Sequence, residues 1–342
     1  VGGAHCLQLN GYDVQTNRET MGEVLSNSRV WFLGIIALLI FADVAVANKT
    51  KEPIGRWRYK DDTRPVKVVV MGGSVAHWGQ GNFGLFLSKA CRNTEIKNRA
   101  KTGYGAPKLK LRFRRQFLQN PRVKLSDPDR EYWLLFQGGL NSIYSPEMTI
   151  KFISEMFVLA NKNNVRVLAL SLTPWGSKSS SKWKGLEGLE RHDNTRKVVS
   201  YLMGELPRNT ALGTYVKPGQ KEQTDWEPGE LPDIGINLFD GPLRHADAEV
   251  RDKNRLLRAL KRSKRWRKRY PNLKEAAERA AAVPQWFMRK EYHAFDHIHP
   301  NTDGHRIMAK ETCKKAPESW GCDCAILDDW TWTRNGLAKL NP

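Results

Sequence analysis

Short unbroken apolar runs alternate along this chain with stretches in which apolar residues recur every three or four positions. The stretch from Val66 to Gly79, VKVVVMGGSVAHWG, begins β-branched and apolar and then meets two glycines and Ser74, so it reads as a buried strand stopping at a tight turn. Tyr132 to Gln137 (YWLLFQ) and Val165 to Leu172 have the same character, and Ile234 to Phe239 gives a last strand ending at Asp240. Leu85, Phe86, Leu87 and Ala90 predict a short helix carrying Cys91, and Glu95 to Ala100 a short strand or turn. Pro107 opens a basic helix to about Gln119, since a proline at the first helical position lacks only an N–H that has no partner there. Ser145-Pro146-Glu147 caps a helix with Ile150, Ile153, Met156, Phe157 and Ala160 on one face, ending at Asn163-Asn164, and a further helix is expected around Asn194 to Met203. Strand and helix in alternation are the mark of a parallel sheet with helices on both faces. The stretch Pro207 to Pro232, rich in Pro, Gly and charge, is long for a connection and is expected to form a lid or rim over a cleft.

The first fifty residues depart from this pattern. Arg29 precedes an apolar run from Val30 to Ala42, and Ala45-Val46-Ala47 has the small-x-small form that a signal peptidase reads. A membrane-spanning helix needs about 20 apolar residues. This run meets Asp43 first, so cleavage near Ala47 and export to a periplasmic or extracellular space is the expectation, with an uncleaved anchor as the other reading. Translation is expected to start at Met21, making residues 1–20 upstream read-through and 21–47 the leader. Pro53, Gly55 and Pro65 punctuate a polar linker over residues 48–65, ahead of a domain over 66–320 and a tail over 321–342.

Charge and cysteines change the picture further. At 342 residues and 40% hydrophobic, the chain can bury a substantial core, yet 56 Lys and Arg against 36 Asp and Glu leave it at +20, which attracts anionic partners. No zinc-finger spacing, RNP-like aromatic motif or P-loop accompanies that charge, so no specific nucleic-acid partner is expected. The excess concentrates in an insertion, Ala246 to Val283, helical by composition, with eleven Lys and Arg between Arg251 and Arg269 against the single Asp252. It reads either as a solvated helix face or as a contact for an anionic polymer, substrate or membrane surface. Beyond the leader remain Cys91, Cys313, Cys322 and Cys324. Cys322 and Cys324 are too close in sequence to bridge each other without strain, so in an oxidising compartment each meets Cys91 or Cys313, the other reading being free thiols.

Four separated pieces share one position in this order of elements. Ser74, Gly103 and Asn141 each follow a strand's carboxyl end, and the pair Asp296 and His299 precedes the last helix, which is where open α/β sheets keep their ligand crevice. A hydroxyl to attack, an imidazole to carry its proton, a carboxylate to fix the imidazole and donors to meet an oxyanion are what ester hydrolysis requires. Taken singly, each residue has a plainer reading as part of an ordinary turn. His293, His297, His299 and His305 also lie close in sequence, but H-x-H without a carboxylate-supported third ligand or a helical HExxH is a poor metal site, and no metal or organic cofactor is expected.

In these blocks the sequence resembles the SGNH hydrolases, also called GDSL esterases and lipases. Gly72-Gly73-Ser74, Asn98 through Gly103 in NRAKTG, Gly139-Leu140-Asn141 and Asp296-His297-Ile298-His299 stand in that family's order over roughly Val66 to Lys310. The resemblance implies a three-layer α/β/α, flavodoxin-like doubly wound sheet and a serine hydrolase acting on carboxylic esters. Ser74 would be the nucleophile, His299 the base and acid, and Asp296 its partner. The Ser74 and Gly103 N–H groups with the Asn141 amide would form the oxyanion hole. Gly73 replaces the Asp of the name-giving motif and Ser142 replaces an Asp common after the third block, which bears on subfamily and substrate. The expected substrate is an acyl or acetyl ester of a carbohydrate or envelope polymer. The competing functions are a catalytically idle module held on anionic cell-surface material and a lipase or lysophospholipase.

Overall fold

The four apolar runs and the short segment at Glu95 become parallel strands of one sheet: β1 (Val66–Gly72), β2 (Thr94–Asn98), β3 (Glu131–Gln137), β4 (Val165–Leu170) and β5 (Ile234–Ile236), in the order β2-β1-β3-β4-β5. This computed structural model describes residues 54–340, apart from 178, 181–182, 184, 215–218, 220–222, 247–250 and 285–286. The expected read-through and leader, residues 1–47, lie outside the described residues.

Side chains alternate across the sheet and bury on both faces. Val69, Met71, Leu134 and Phe136 pack with α3 (Ala106–Phe113), α4 (Pro146–Asn161) and α5 (Gly185–Leu202) on one side. Val68, Val70, Trp133 and Leu135 pack with α2 (Phe83–Ala90) and α10 (Thr302–Lys315) on the other. The result is a three-layer α/β/α, doubly wound sheet of flavodoxin-like order. Its switch point lies between β1 and β3, whose ends are aligned with Gly72 opposite Gln137.

Several boundaries differ from expectation for identifiable reasons. α5 begins nine residues before the expected Asn194, because Leu186 and Leu189 are buried although charged neighbours dilute the pattern. The basic helix from Ala106 gives way at Arg114 to a π-turn ending at Leu118. Cys91 is the C-cap of α2. The presumed linker is part of the domain from Ile54 onward: Tyr59 is buried, and the Lys60 and Asp61 N–H groups donate to the Glu95 carboxylate at 2.7 and 2.9 Å. The presumed tail forms the ribbon β6 (Trp330–Thr333) and β7 (Gly336–Lys339). Within Pro207 to Pro232, a short helix α6 (Arg208–Leu212) and Trp226, its ring tilted at 49° to that of Tyr201, pack against the core on the α4–α5 side of the sheet.

The insertion is helical, as its composition indicates, in three pieces: α7 (Lys253–Arg262), α8 (Lys264–Arg269) and α9 (Leu273–Ala282). Two disulfides close the far side. Cys91–Cys322 and Cys313–Cys324 join α2 and α10 to the C-terminal segment, so Cys322 meets Cys91 and Cys324 meets Cys313. Among the described residues no helix is long and apolar enough to cross a membrane.

Candidate active site

Ser74 is the first residue of α1 (Ser74–His77), so its N–H belongs to the first-turn groups that have no partner within a helix. Asn98, at the end of β2, ties the next segment to this turn by donating from Nδ2 to the Ala76 carbonyl at 2.7 Å and accepting from the Ala100 N–H at 2.9 Å. Lys101 to Tyr104 then form a turn closed by Tyr104 N to Lys101 O at 3.2 Å, with Gly103 at φ +78°. That geometry requires a positive φ at the third position, which is why a glycine stands there. Thr102 Oγ1 lies 3.0 Å from His77 Nδ1, and Asn141 Nδ2 donates to the Tyr104 carbonyl at 3.3 Å. The residues flanking Gly103 therefore touch the Ser74 helix on one side and Asn141 on the other.

Asn141 lies in a 3-10 turn, Leu140–Ser142, directly after β3. Ser142 Oγ accepts from the Ala106 N–H at 3.1 Å, tying this turn to the start of α3. Ser142 thus satisfies an N–H in the first turn of a neighbouring helix.

The fourth piece folds back from the insertion. Asp296 Oδ1 accepts from the Ile298 and His299 N–H groups at 3.0 Å each, an Asx turn, while His297 takes φ +58°. Ala294 N donates to His299 O at 2.8 Å and closes the loop. Asn301 then caps α10 by accepting from Gly304 N.

This loop carries the His299 ring across the sheet edge. His299 Nε2 lies 2.7 Å from Ser74 Oγ, 225 positions away in the sequence, and Nδ1 donates to Asp296 Oδ2. Burial alone would push the Asp296 carboxyl up, but the His299 and Ile298 N–H groups and the His299 ring outweigh it and hold its pKa below the usual carboxylate value. Asp296 stays ionised and fixes the tautomer in which Nε2 is free to accept a proton from Ser74.

All five residues singled out in the sequence, Ser74, Gly103, Asn141, Asp296 and His299, fall on one edge of the sheet. The other histidines do not converge with His299 on a shared point: His293 and His297 pair with each other, ring centroids 5.7 Å apart, and His305 is fully buried on α10. Sequence reasoning passed over Trp78. Its ring stacks on His299 (centroids 5.4 Å, planes at 23°) and on His305 (6.0 Å), and Phe83 stacks on His305 in turn. An aromatic four residues after Ser74, one helical turn on, was the available signal. Phe295, beside Asp296, is 90% exposed.

The chain is similar to GDSL-type lipases and acetylxylan esterases of known structure. A GDSL-like lipase from Bacteroides thetaiotaomicron matches at 14% identity over 80% of this chain and 95% of that one, with a TM-score of 0.41. A member of the lipolytic protein G-D-S-L family from Veillonella parvula matches at 14% identity, 73% and 97% coverage and a TM-score of 0.41. A catalytic mutant of an acetylxylan esterase from Geobacillus stearothermophilus matches at 10% identity, 75% and 95% coverage and a TM-score of 0.38. No family model matches the sequence, and neither does any curated protein.

Proposed function

We propose that this protein is an exported serine esterase of the SGNH type that hydrolyses acyl or acetyl esters, on a carbohydrate or envelope polymer, through an acyl-Ser74 intermediate. The observation that carries the reading is the 2.7 Å contact between Ser74 Oγ and His299 Nε2, with Asp296 behind the ring. As Ser74 Oγ bonds to the ester carbonyl carbon, His299 Nε2 takes its proton, and Asp296 stabilises the imidazolium that forms. The carbonyl oxygen becomes an oxyanion facing the Ser74 and Gly103 N–H groups and the Asn141 amide. Collapse breaks the bond to the alcohol oxygen, which leaves with the proton from Nε2. Water then repeats the sequence on the acyl-enzyme, losing its proton to His299 and freeing the acid and Ser74.

Export rests on the leader-like segment and on the two disulfides, which persist in oxidising compartments. Exposed Phe295 offers an apolar ring to whatever part of the substrate lies against the Asp296 loop. A fluorophosphonate probe tests the reading, because it phosphonylates only an activated serine. Mass spectrometry is expected to find the label on the peptide containing Ser74, with no label in His299→Ala. Labelling that persists in that variant, or that falls on another serine, contradicts the assignment.

A further inference from the structure

The insertion lies between β5 and the Asp296 loop, and its stem is pinned beside the site. His245 N donates to Phe287 O at 2.9 Å and Arg289 N to Leu243 O at 2.9 Å, forming a clasp. Phe287 N donates to Gly176 O, and Gly176 N donates to His297 O at 2.8 Å, so one residue joins the clasp to the loop that holds His299.

The charge on these helices divides into two sets. Arg265 meets Glu190 at 2.8 Å and Arg279 meets Asp193 at 2.6 Å, both acids on α5, which seats the insertion on the domain. Asp252, the sole acid in the run, is consumed as the N-cap of α7. Among the described residues Arg255, Arg258, Lys261, Arg262, Lys264 and Lys268 are exposed and have no carboxylate partner. Their spacing is unfavourable for an isolated helix: Arg255 and Arg258, Arg258 and Arg262, and Lys264 and Lys268 put like charges three or four residues apart, where they repel. Arg255 to Arg262 alone extends about 10 Å along the helix, farther than one small anion reaches.

Resting on the esterase reading above, we propose that this row is a docking surface for an acidic polysaccharide, the chain that carries the ester cleaved at Ser74. Weak charge contacts repeated along a polymer add up, whereas a single sugar acid would gain little. A lipid surface fits less well, because the apolar side of α7 and α8 (Leu256, Leu260, Trp266, Tyr270) is buried in the domain and leaves nothing to insert. Single-stranded nucleic acid fits less well because both of those aromatics are buried and unavailable for base stacking.

The test is binding of the Ser74→Ala protein to polygalacturonate, measured beside neutral xylan, phosphatidylserine vesicles and duplex DNA at equal ionic strength. Polygalacturonate is expected to bind most tightly and to weaken as salt rises. The triple change Arg258→Glu, Arg262→Glu, Lys268→Glu is expected to weaken it at least tenfold while leaving p-nitrophenyl acetate turnover unchanged in the protein that keeps Ser74. No binding, tighter binding to vesicles or DNA, or equal binding by the triple variant overturns the proposal. Absent p-nitrophenyl acetate turnover alone would remove the esterase reading and leave the binding result standing.

Discussion

A Cβ placed on Gly73 would stand 2.9 Å from the Asn141 side-chain nitrogen, closer than a methyl group tolerates. The Asn141 amide therefore occupies space that a side chain at position 73 would need. Gly73→Asp is expected to displace the Asn141 amide and, with that amide meeting the oxyanion as proposed, to lower kcat about 100- to 1000-fold, the size of effect that follows loss of one oxyanion donor. Steady-state kinetics on p-nitrophenyl acetate read the outcome. Unchanged kcat in Gly73→Asp would separate Asn141 from the oxyanion.

Trp78 stacks on the His299 ring, which in the proposed reaction becomes an imidazolium as Ser74 attacks. A cation–π contact of this kind is worth about 0.5–2 kcal/mol, so Trp78→Leu is expected to lower kcat about 2- to 30-fold with KM little changed. Trp78→Phe should recover most of the loss. A change confined to KM would assign Trp78 to substrate binding.

His305 is fully buried, and its pKa is pushed down to about 3, by burial first and by His299 second. Burial and then His297 push His293 down to about 4. In the unfolded chain both take up a proton near pH 6.5, so below that value the unfolded state binds more protons and stability falls with pH until each folded value is passed. The stability contribution is complete above about pH 6.5. Each group adds a slope of up to about 1.4 kcal/mol per pH unit in that window. Urea denaturation of His305→Phe between pH 4 and 7 is expected to show a shallower decline than wild type. Equal slopes would mean that His305 is already protonated in the folded protein.

Cys91–Cys322 spans 231 residues and Cys313–Cys324 spans 11. If a bridge acts mainly by restricting the unfolded chain, these loop lengths correspond to about 5 and about 3 kcal/mol. Cys91→Ser with Cys322→Ser should accordingly lower the urea midpoint more than Cys313→Ser with Cys324→Ser. The reverse ranking would place the stabilisation in local packing around Cys313.

The strands and the glycine-ended turns after them were legible because β-branched runs and Gly-Gly steps report local physics directly. That Ser74, Gly103, Asn141, Asp296 and His299 fall on one edge of the sheet was legible through their order along the chain. The start of α5 was hidden because Glu187, Glu190 and Arg191 interrupt the apolar period around Leu186 and Leu189, whose burial depends on the insertion packing over them. Trp78 was passed over for a similar reason, since its role depends on a ring that arrives from the far end of the sequence. The ribbon of Trp330 and Trp332 likewise depends on contacts with Lys89 and Gly81 that no local pattern announces.

The most direct measurement is kcat/KM for p-nitrophenyl acetate in Ser74→Ala, His299→Ala and the double variant. If the two side chains act as one unit, each single change lowers the value at least about 1000-fold and the double variant is no worse than either alone. Turnover within tenfold of wild type in either single variant, in a protein that remains folded, would contradict the account.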